Sequence, residues 1–200
     1  AQSPKTLDCR HLANLTDALS FSGHKIGAPQ GVGFLYLKAS LQEAVTPLIQ
    51  GGGQQNGFRS GTLPLPLCVG AGKACQILTE IEVVERRQIV SKIRDYFYAG
   101  LLDLKSNIVL NGPPLVDRHV GNLNISFTGM DANELLMCLQ PNVCASTGSA
   151  CSSGIMEDSH VLTALGFASE RCASALRFSF SHTNSIDEAD LALEHIRRCL

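Results

Sequence analysis

The sequence predicts an α/β protein in two parts, and three features carry that reading. Residues Ala18–Ser22, 34–37, Asn122–Phe127 and 175–180 alternate or cluster apolar side chains as strands do. Residues 67–82, Val83–Leu104, 131–139 and those following Ser185 carry helical signals. The long amphipathic stretch Val83–Leu104 leads into a smaller second part with an α+β order. Two hundred residues, 44% of them hydrophobic, suffice for one sizeable core or for two small domains sharing an interface.

Taken in order, residues 1–17 are polar and weakly patterned. The run Ala18-Leu19-Ser20-Phe21-Ser22 reads as a strand that breaks at Gly23. Residues 26–33 hold too much Gly and Pro for a helix or a central strand. A strand at 34–37 and a glycine cluster at Gly51, Gly52 and Gly53 precede the helix expected over 67–82. In Val83–Leu104 the apolar positions Val83, Ile89, Val90, Ile93, Phe97 and Leu101 recur at roughly helical spacing. Glu85, Arg86, Lys92, Arg94 and Asp95 are expected on the opposite side. Asn122–Phe127 alternates as a half-buried strand should. Asp131 with Glu134, and Ser185 with Glu188, have the spacing of a capping box. In 175–180, Leu176, Phe178 and Phe180 share one face, with Arg177 and Ser179 on the other. Ala189, Leu193 and Ile196 make the buried stripe of the closing helix. There is no internal repeat or low-complexity tract.

Charge and cysteine usage narrow the function classes. A formal net charge of -2 excludes nucleic-acid or membrane-surface binding driven by bulk charge. No apolar run is long enough for a bilayer-spanning helix, and no secretory signal is visible. The eight cysteines (Cys9, Cys68, Cys75, Cys138, Cys144, Cys151, Cys172, Cys199) include no C-x-x-C pair, so neither a zinc site nor a compact disulfide framework is expected. They are expected to be mostly small buried hydrophobes in a reducing cytoplasm. The chain begins without Met, a few residues before a functional-looking strand, and is expected to be a fragment or a truncated product.

Two stretches carry chemistry. Ser20-Phe21-Ser22-Gly23-His24-Lys25 puts a histidine and a lysine at the C-terminal end of a strand. A partly desolvated Lys25 amine there loses its proton and attacks a carbonyl; a solvated loop lysine is the other reading of the same residues. Ala145-Ser146-Thr147-Gly148-Ser149-Ala150-Cys151-Ser152-Ser153-Gly154 surrounds one cysteine with small polar residues. An exposed, mobile loop is expected, with a thiol that a substrate can reach, unlike Cys68, Cys75 or Cys138 within apolar helices.

These two stretches, the Gly51-Gly52-Gly53-Gln54 to Arg59-Ser60-Gly61-Thr62 stretch, and Leu176-Arg177-Phe178-Ser179 occur in one order. Together they resemble the pyridoxal-phosphate-dependent cysteine desulfurases of the NifS/IscS type, within the class-V aminotransferases, with selenocysteine lyases as close relatives. The resemblance covers nearly all of this chain but only the C-terminal half or so of such an enzyme. It implies a PLP-dependent transferase of fold type I, aspartate-aminotransferase-like. Residues 1–82 would be the C-terminal part of the large cofactor domain and 83–200 the small C-terminal domain with the cysteine loop. It further implies that Lys25 holds pyridoxal 5'-phosphate as an internal aldimine and then moves the substrate's α-proton. Ser22 and His24 match phosphate-binding positions. Thr62 matches a phosphate ligand that reaches the partner subunit's site, so a homodimer with shared sites is implied. Arg177 matches the arginine that binds the substrate carboxylate. Cys151 matches the nucleophile that takes sulfur from L-cysteine as a persulfide, releasing L-alanine. The sulfur would pass to an acceptor such as an iron–sulfur scaffold, or into thiolation. The cysteine loop resembles the longer form of the NifS/IscS group, not the short loop of SufS-like enzymes.

The chain departs from the family pattern at Ser181-His182-Thr183-Asn184, where Gly-Arg and two threonines are usual, and at Gln55, where glutamate is common. The family's pyridinium-pairing aspartate, ring-stacking histidine and nearby glutamine belong to the portion this chain lacks. The isolated chain is therefore expected to be inactive or nearly so. Selenocysteine lyase activity, or a non-catalytic role as a dimer partner, are the competing readings.

Overall fold

The structure is a computed structural model that describes residues 7–104, 107–147 and 158–200. It divides into two compact units at Arg86–Arg87.

In the first unit, helix α1 (Cys9–Leu15) is followed by strand β1 (Ala18–Ser22), strand β2 (Gly33–Leu37) and helix α2 (Leu65–Thr79). The weakly patterned start is thus partly helical: the Asp8 side chain accepts from Arg10 N and caps α1. β1 and β2 pair antiparallel, with Ala18 opposite Leu37 and Ser22 opposite Gly33. The ladder continues for one step beyond β1, where Gly23 N donates to Val32 O at 2.9 Å. A Cβ on Gly23 would lie 2.6 Å from that same oxygen, so no larger residue fits. The chain then turns through a 3-10 helix, Gly23–Ile26, closed by Gly27 at φ 90. The turn buries Ile26, and Ala28 packs with Ala71 and Ala74 of α2.

In the second unit, helix α3 (Val83–Leu104, whose first turn lies in the first unit) is followed by strands β3 (Ile108–Leu110) and β4 (Asn122–Phe127), helices α4 (Ala132–Leu139), α5 (His160–Ala164) and α6 (Ser169–Ala173), strand β5 (Ala175–Ser179) and helix α7 (Ile186–Cys199). The sheet order is β3-β4-β5, antiparallel throughout. Alternation in β4 and β5 sends Leu123, Ile125, Phe127, Leu176 and Phe178 into one core with Phe97 and Leu101 of α3. Each such side chain contributes about 1.5–3 kcal/mol by leaving water. Phe97 packs on Phe178 and Phe180 with ring centroids 5.1 and 5.5 Å apart. Both expected helix starts are present: Asp131 accepts from Asn133 N and Glu134 N, and Ser185 with Glu188 forms a full capping box. Asn184, one of the departures from the family pattern, joins this cap by donating to Glu188 Oε2 at 3.1 Å and accepting from Ser181 N at 2.8 Å.

Two expectations are corrected. Arg86 and Arg94 are not on the outer side of α3; both are buried. They stand four residues either side of Val90, on the same helical stripe. Arg86 Nε donates to Ile81 O at 3.1 Å, and Arg94 pairs with Asp95 at 2.8 Å. The cysteines are also not mostly buried thiols. Of the free cysteines described, Cys172 alone is buried, Cys75 and Cys144 are exposed, and Cys138 is bonded to Cys199 across 61 residues. Cys75 follows Ala74 by one residue, which rotates it off the inward Ala71, Ala74, Leu78 stripe. No described helix is long and apolar enough to cross a membrane.

Candidate active site

The end of β1 gathers three of the expected site residues on one turn. Ser22 is the N-cap of the 3-10 helix, yet its hydroxyl makes no capping bond. His24 and Lys25 follow within the turn, and both are exposed. None of the three side chains has a hydrogen-bond or ion-pair partner among the described residues. A serine at an N-cap ordinarily spends its oxygen on the helix; here hydroxyl, imidazole and ammonium are all left for something else. Lys25 is exposed, not partly desolvated as expected, because Gly23 and Ile26 are the buried residues of this turn.

Thr62, also in the first unit, is exposed. It borders a cavity of about 650 Å³ together with Phe34, Leu35, Gln55, Asn56 and Arg59, a lining that includes none of Ser22, His24 and Lys25. Gln55 and Asn56 there adopt positive φ of 53 and 55, an uncommon conformation for non-glycine residues. Ser60 Oγ donates to Gly52 O at 2.7 Å and Gly61 N to Gln54 Oε1 at 3.1 Å, tying the glycine cluster to the segment that carries Thr62.

Arg177 belongs to the second unit. It is half-buried on the polar face of β5, and its guanidinium has no partner among the described residues. Its backbone pairs with Ser146: Arg177 N donates to Ser146 O at 2.7 Å and Ser146 N to Arg177 O at 3.1 Å. The segment leading towards Cys151 therefore leaves from beside Arg177. Cys151 itself lies outside the described residues.

The residues fit a phosphorylated aldehyde cofactor on the chemistry of the donor set. An amine that can attach the aldehyde sits beside a hydroxyl and an imidazole N–H, all without partners among the described residues, on a turn whose glycine keeps the backbone close. The sequence did not single out a polar group beside Arg177. Asn124 faces it across the ladder, and Asn111, Ser126 and Arg171 are bonded to one another around it. Its one signal was the polar alternation Asn122, Asn124, Ser126.

The fold is that of the fold type I, aspartate-aminotransferase-like enzymes. The chain belongs to the class-V aminotransferase family, which it matches over residues 7–191. It is 39% identical to the cysteine desulfurase IscS of Rickettsia peacockii over 180 residues, 90% of this chain and 43% of that protein. It is also 39% identical to the IscS of Rickettsia prowazekii over 177 residues, 88% of this chain and 42% of that protein. A solved NifS-like protein superposes with a TM-score of 0.76 at 32% identity, covering 92% of this chain and 46% of that one. The NifS-like protein of Rickettsia africae gives a TM-score of 0.78 at 27% identity, covering 98% and 51%. The chain thus spans about half the length of the relatives it matches.

Proposed function

We propose that this chain is part of a pyridoxal-phosphate-dependent cysteine desulfurase that converts L-cysteine to L-alanine and leaves the sulfur as a persulfide on Cys151. The observation that supports this most is the unspent trio Ser22, His24 and Lys25 on one turn, in a chain whose relatives carry that name. When bound, pyridoxal 5'-phosphate supplies an electrophilic aldehyde and an electron sink for the bond-breaking at the amino acid's α-carbon. Lys25 Nζ would be the group that holds it, and its amine would be the base that takes and returns the α-proton. Ser22 Oγ and the His24 ring donate to the phosphate. Arg177 takes the substrate carboxylate in its planar fork. The Cys151 thiolate attacks the substrate sulfur; the carbon–sulfur bond breaks, a sulfur–sulfur bond forms, and the carbon accepts a proton to become alanine.

The same reading assigns residues 1–82 to the cofactor domain and 83–200 to the domain of the cysteine loop. It makes the protein a cytoplasmic homodimer in which Thr62 serves the phosphate site of a second copy. Its exposure supports that assignment. The sulfur acceptor is a protein such as an iron–sulfur scaffold.

The test is to incubate the chain with pyridoxal 5'-phosphate, reduce with borohydride and map the modified lysine. One added pyridoxyl group on the Lys25 peptide is expected, absent in Lys25→Ala and roughly tenfold weaker at limiting cofactor in His24→Ala. Equal labelling scattered over other lysines, unchanged in Lys25→Ala, overturns the reading.

A further inference from the structure

We infer that Asn124 is a second donor of the carboxylate site beside Arg177, its amide turned the right way by a relay from Arg171 through Asn111. The inference rests on the reading of Arg177 as the carboxylate ligand and adds to it a residue, an orientation and a reason for both.

Register places Asn124 opposite Arg177 in the β4–β5 ladder. Arg177 spends its backbone N–H and C=O on Ser146, on the far side from β4, while Asn124 O accepts from Asn111 N of the β3 side at 2.9 Å. The two residues therefore form a non-hydrogen-bonded pair, the class whose Cα atoms approach to about 4.5 Å and whose side chains stand closest, on one face.

Amide polarity follows from donors that have no choice. Arg171 can only donate, and its Nε donates to Asn111 Oδ1 at 2.7 Å. Asn111 must then present Nδ2 on its other edge, where it donates to Asn124 Oδ1 at 2.7 Å and to Ser126 Oγ at 2.9 Å. Ser126 Oγ passes its own proton to Arg171 O at 2.8 Å, which closes the circuit. Arg171 is held independently of any carboxylate: Nη2 donates to Leu110 O at 2.9 Å, and the guanidinium lies 3.8 Å from the Phe167 ring centroid. With its oxygen committed to Asn111, Asn124 has only its Nδ2 hydrogens left. They have no partner among the described residues, and neither does the Arg177 guanidinium. Both residues are only partly buried. Two adjacent donor groups cannot satisfy each other. They call for an acceptor with more than one oxygen, and a carboxylate supplies it.

The test is a titration of the full 200-residue chain with L-alanine, with L-alaninamide as the control lacking a carboxylate, following the Arg177 Nε–H and Asn124 side-chain NH₂ signals by NMR. Alanine, not alaninamide, should shift both signals. Asn124→Asp is isosteric and still accepts from Asn111, so the network survives while the donor is replaced by a charge of the wrong sign; affinity should fall roughly tenfold or more. Arg171→Met should weaken binding in the same direction, and Arg171→Lys, which keeps a donor towards Asn111 Oδ1, should restore it. If alanine shifts Arg177 alone and Asn124→Asp binds as the unmodified chain does, the Asn124 inference is overturned and the Arg177 reading stands. If Arg177 does not respond, the carboxylate reading itself fails. If Arg171→Met binds alanine unchanged, the relay is wrong.

Discussion

The two units are held by different means. The second unit buries full-sized side chains: Phe97, Leu101, Leu123, Phe127, Leu135 and Ile196 are all within 2% of complete burial. The first packs its turn on alanines, with Ala28, Ala71 and Ala74 as its cluster, and leaves Leu35, Leu65 and Val69 at least 65% exposed and Leu48 at 100%. The lysine-bearing turn therefore owes its shape to backbone closure at Gly23 and Gly27, whereas the arginine-bearing strand owes its position to a core. A site built on the first plan is sensitive to a single backbone atom; one built on the second is sensitive to volume.

The largest expected effect is Phe97→Ala, which should cost about 3–5 kcal/mol on probes in the second unit during denaturant unfolding. A cost below about 1 kcal/mol would contradict the core assigned to that unit. Gly23→Ala tests the first plan. Its Cβ would meet Val32 O, and about 1–3 kcal/mol of strain is expected, together with loss of borohydride-trapped cofactor at Lys25. Normal trapping in a normally folded variant would show that the turn tolerates a shift. Ser185→Ala removes the hydroxyl that accepts from Glu188 N and should cost about 1 kcal/mol, read as a lower urea midpoint with unchanged slope.

A pH dependence of smaller size is expected from His119. Burial first, then Arg87 and Arg94, lower its pKa below the ordinary histidine value, and its Nδ1 accepts from Gly121 N at 3.2 Å. The unfolded chain therefore takes up the proton more readily than the fold. Stability is full above the ordinary histidine value and declines as pH falls below it towards the depressed one. Urea midpoints at about pH 7.5 and about pH 5.5 should differ less in His119→Asn than in the unmodified chain. Smallest of all, Leu35→Ala in the exposed β2 face should stay within about 0.5 kcal/mol, a tenth or so of the Phe97 effect although both remove a large apolar side chain.

Much of this was legible from local pattern. The run Ala18–Ser22, the helix Val83–Leu104 and the caps at Asp131 and Ser185 coincide with observed elements, because period and capping are properties of neighbouring residues. The seven-residue α1 leaves too weak a trace in the sequence, a single Asp8 cap ahead of two turns. Charge alone points Arg86 and Arg94 outward, although helical spacing puts them on the buried stripe with Val90.

By itself the sequence carried the family resemblance and most of the longer elements, and it named candidates for the chemistry: Ser22, His24, Lys25, Thr62, Cys151 and Arg177 stand in motifs that need no coordinates to be recognised. Only the tertiary structure decided which groups are spent and which are free. Cys138 meets Cys199 across 61 residues, and Arg171 reaches Asn111 across 60. Asn124 comes beside Arg177 through a strand register that no window of neighbouring residues contains. Hydrogen-bond polarity passes along such contacts from a group that can only donate, so an amide's orientation is settled by a residue far away in the chain.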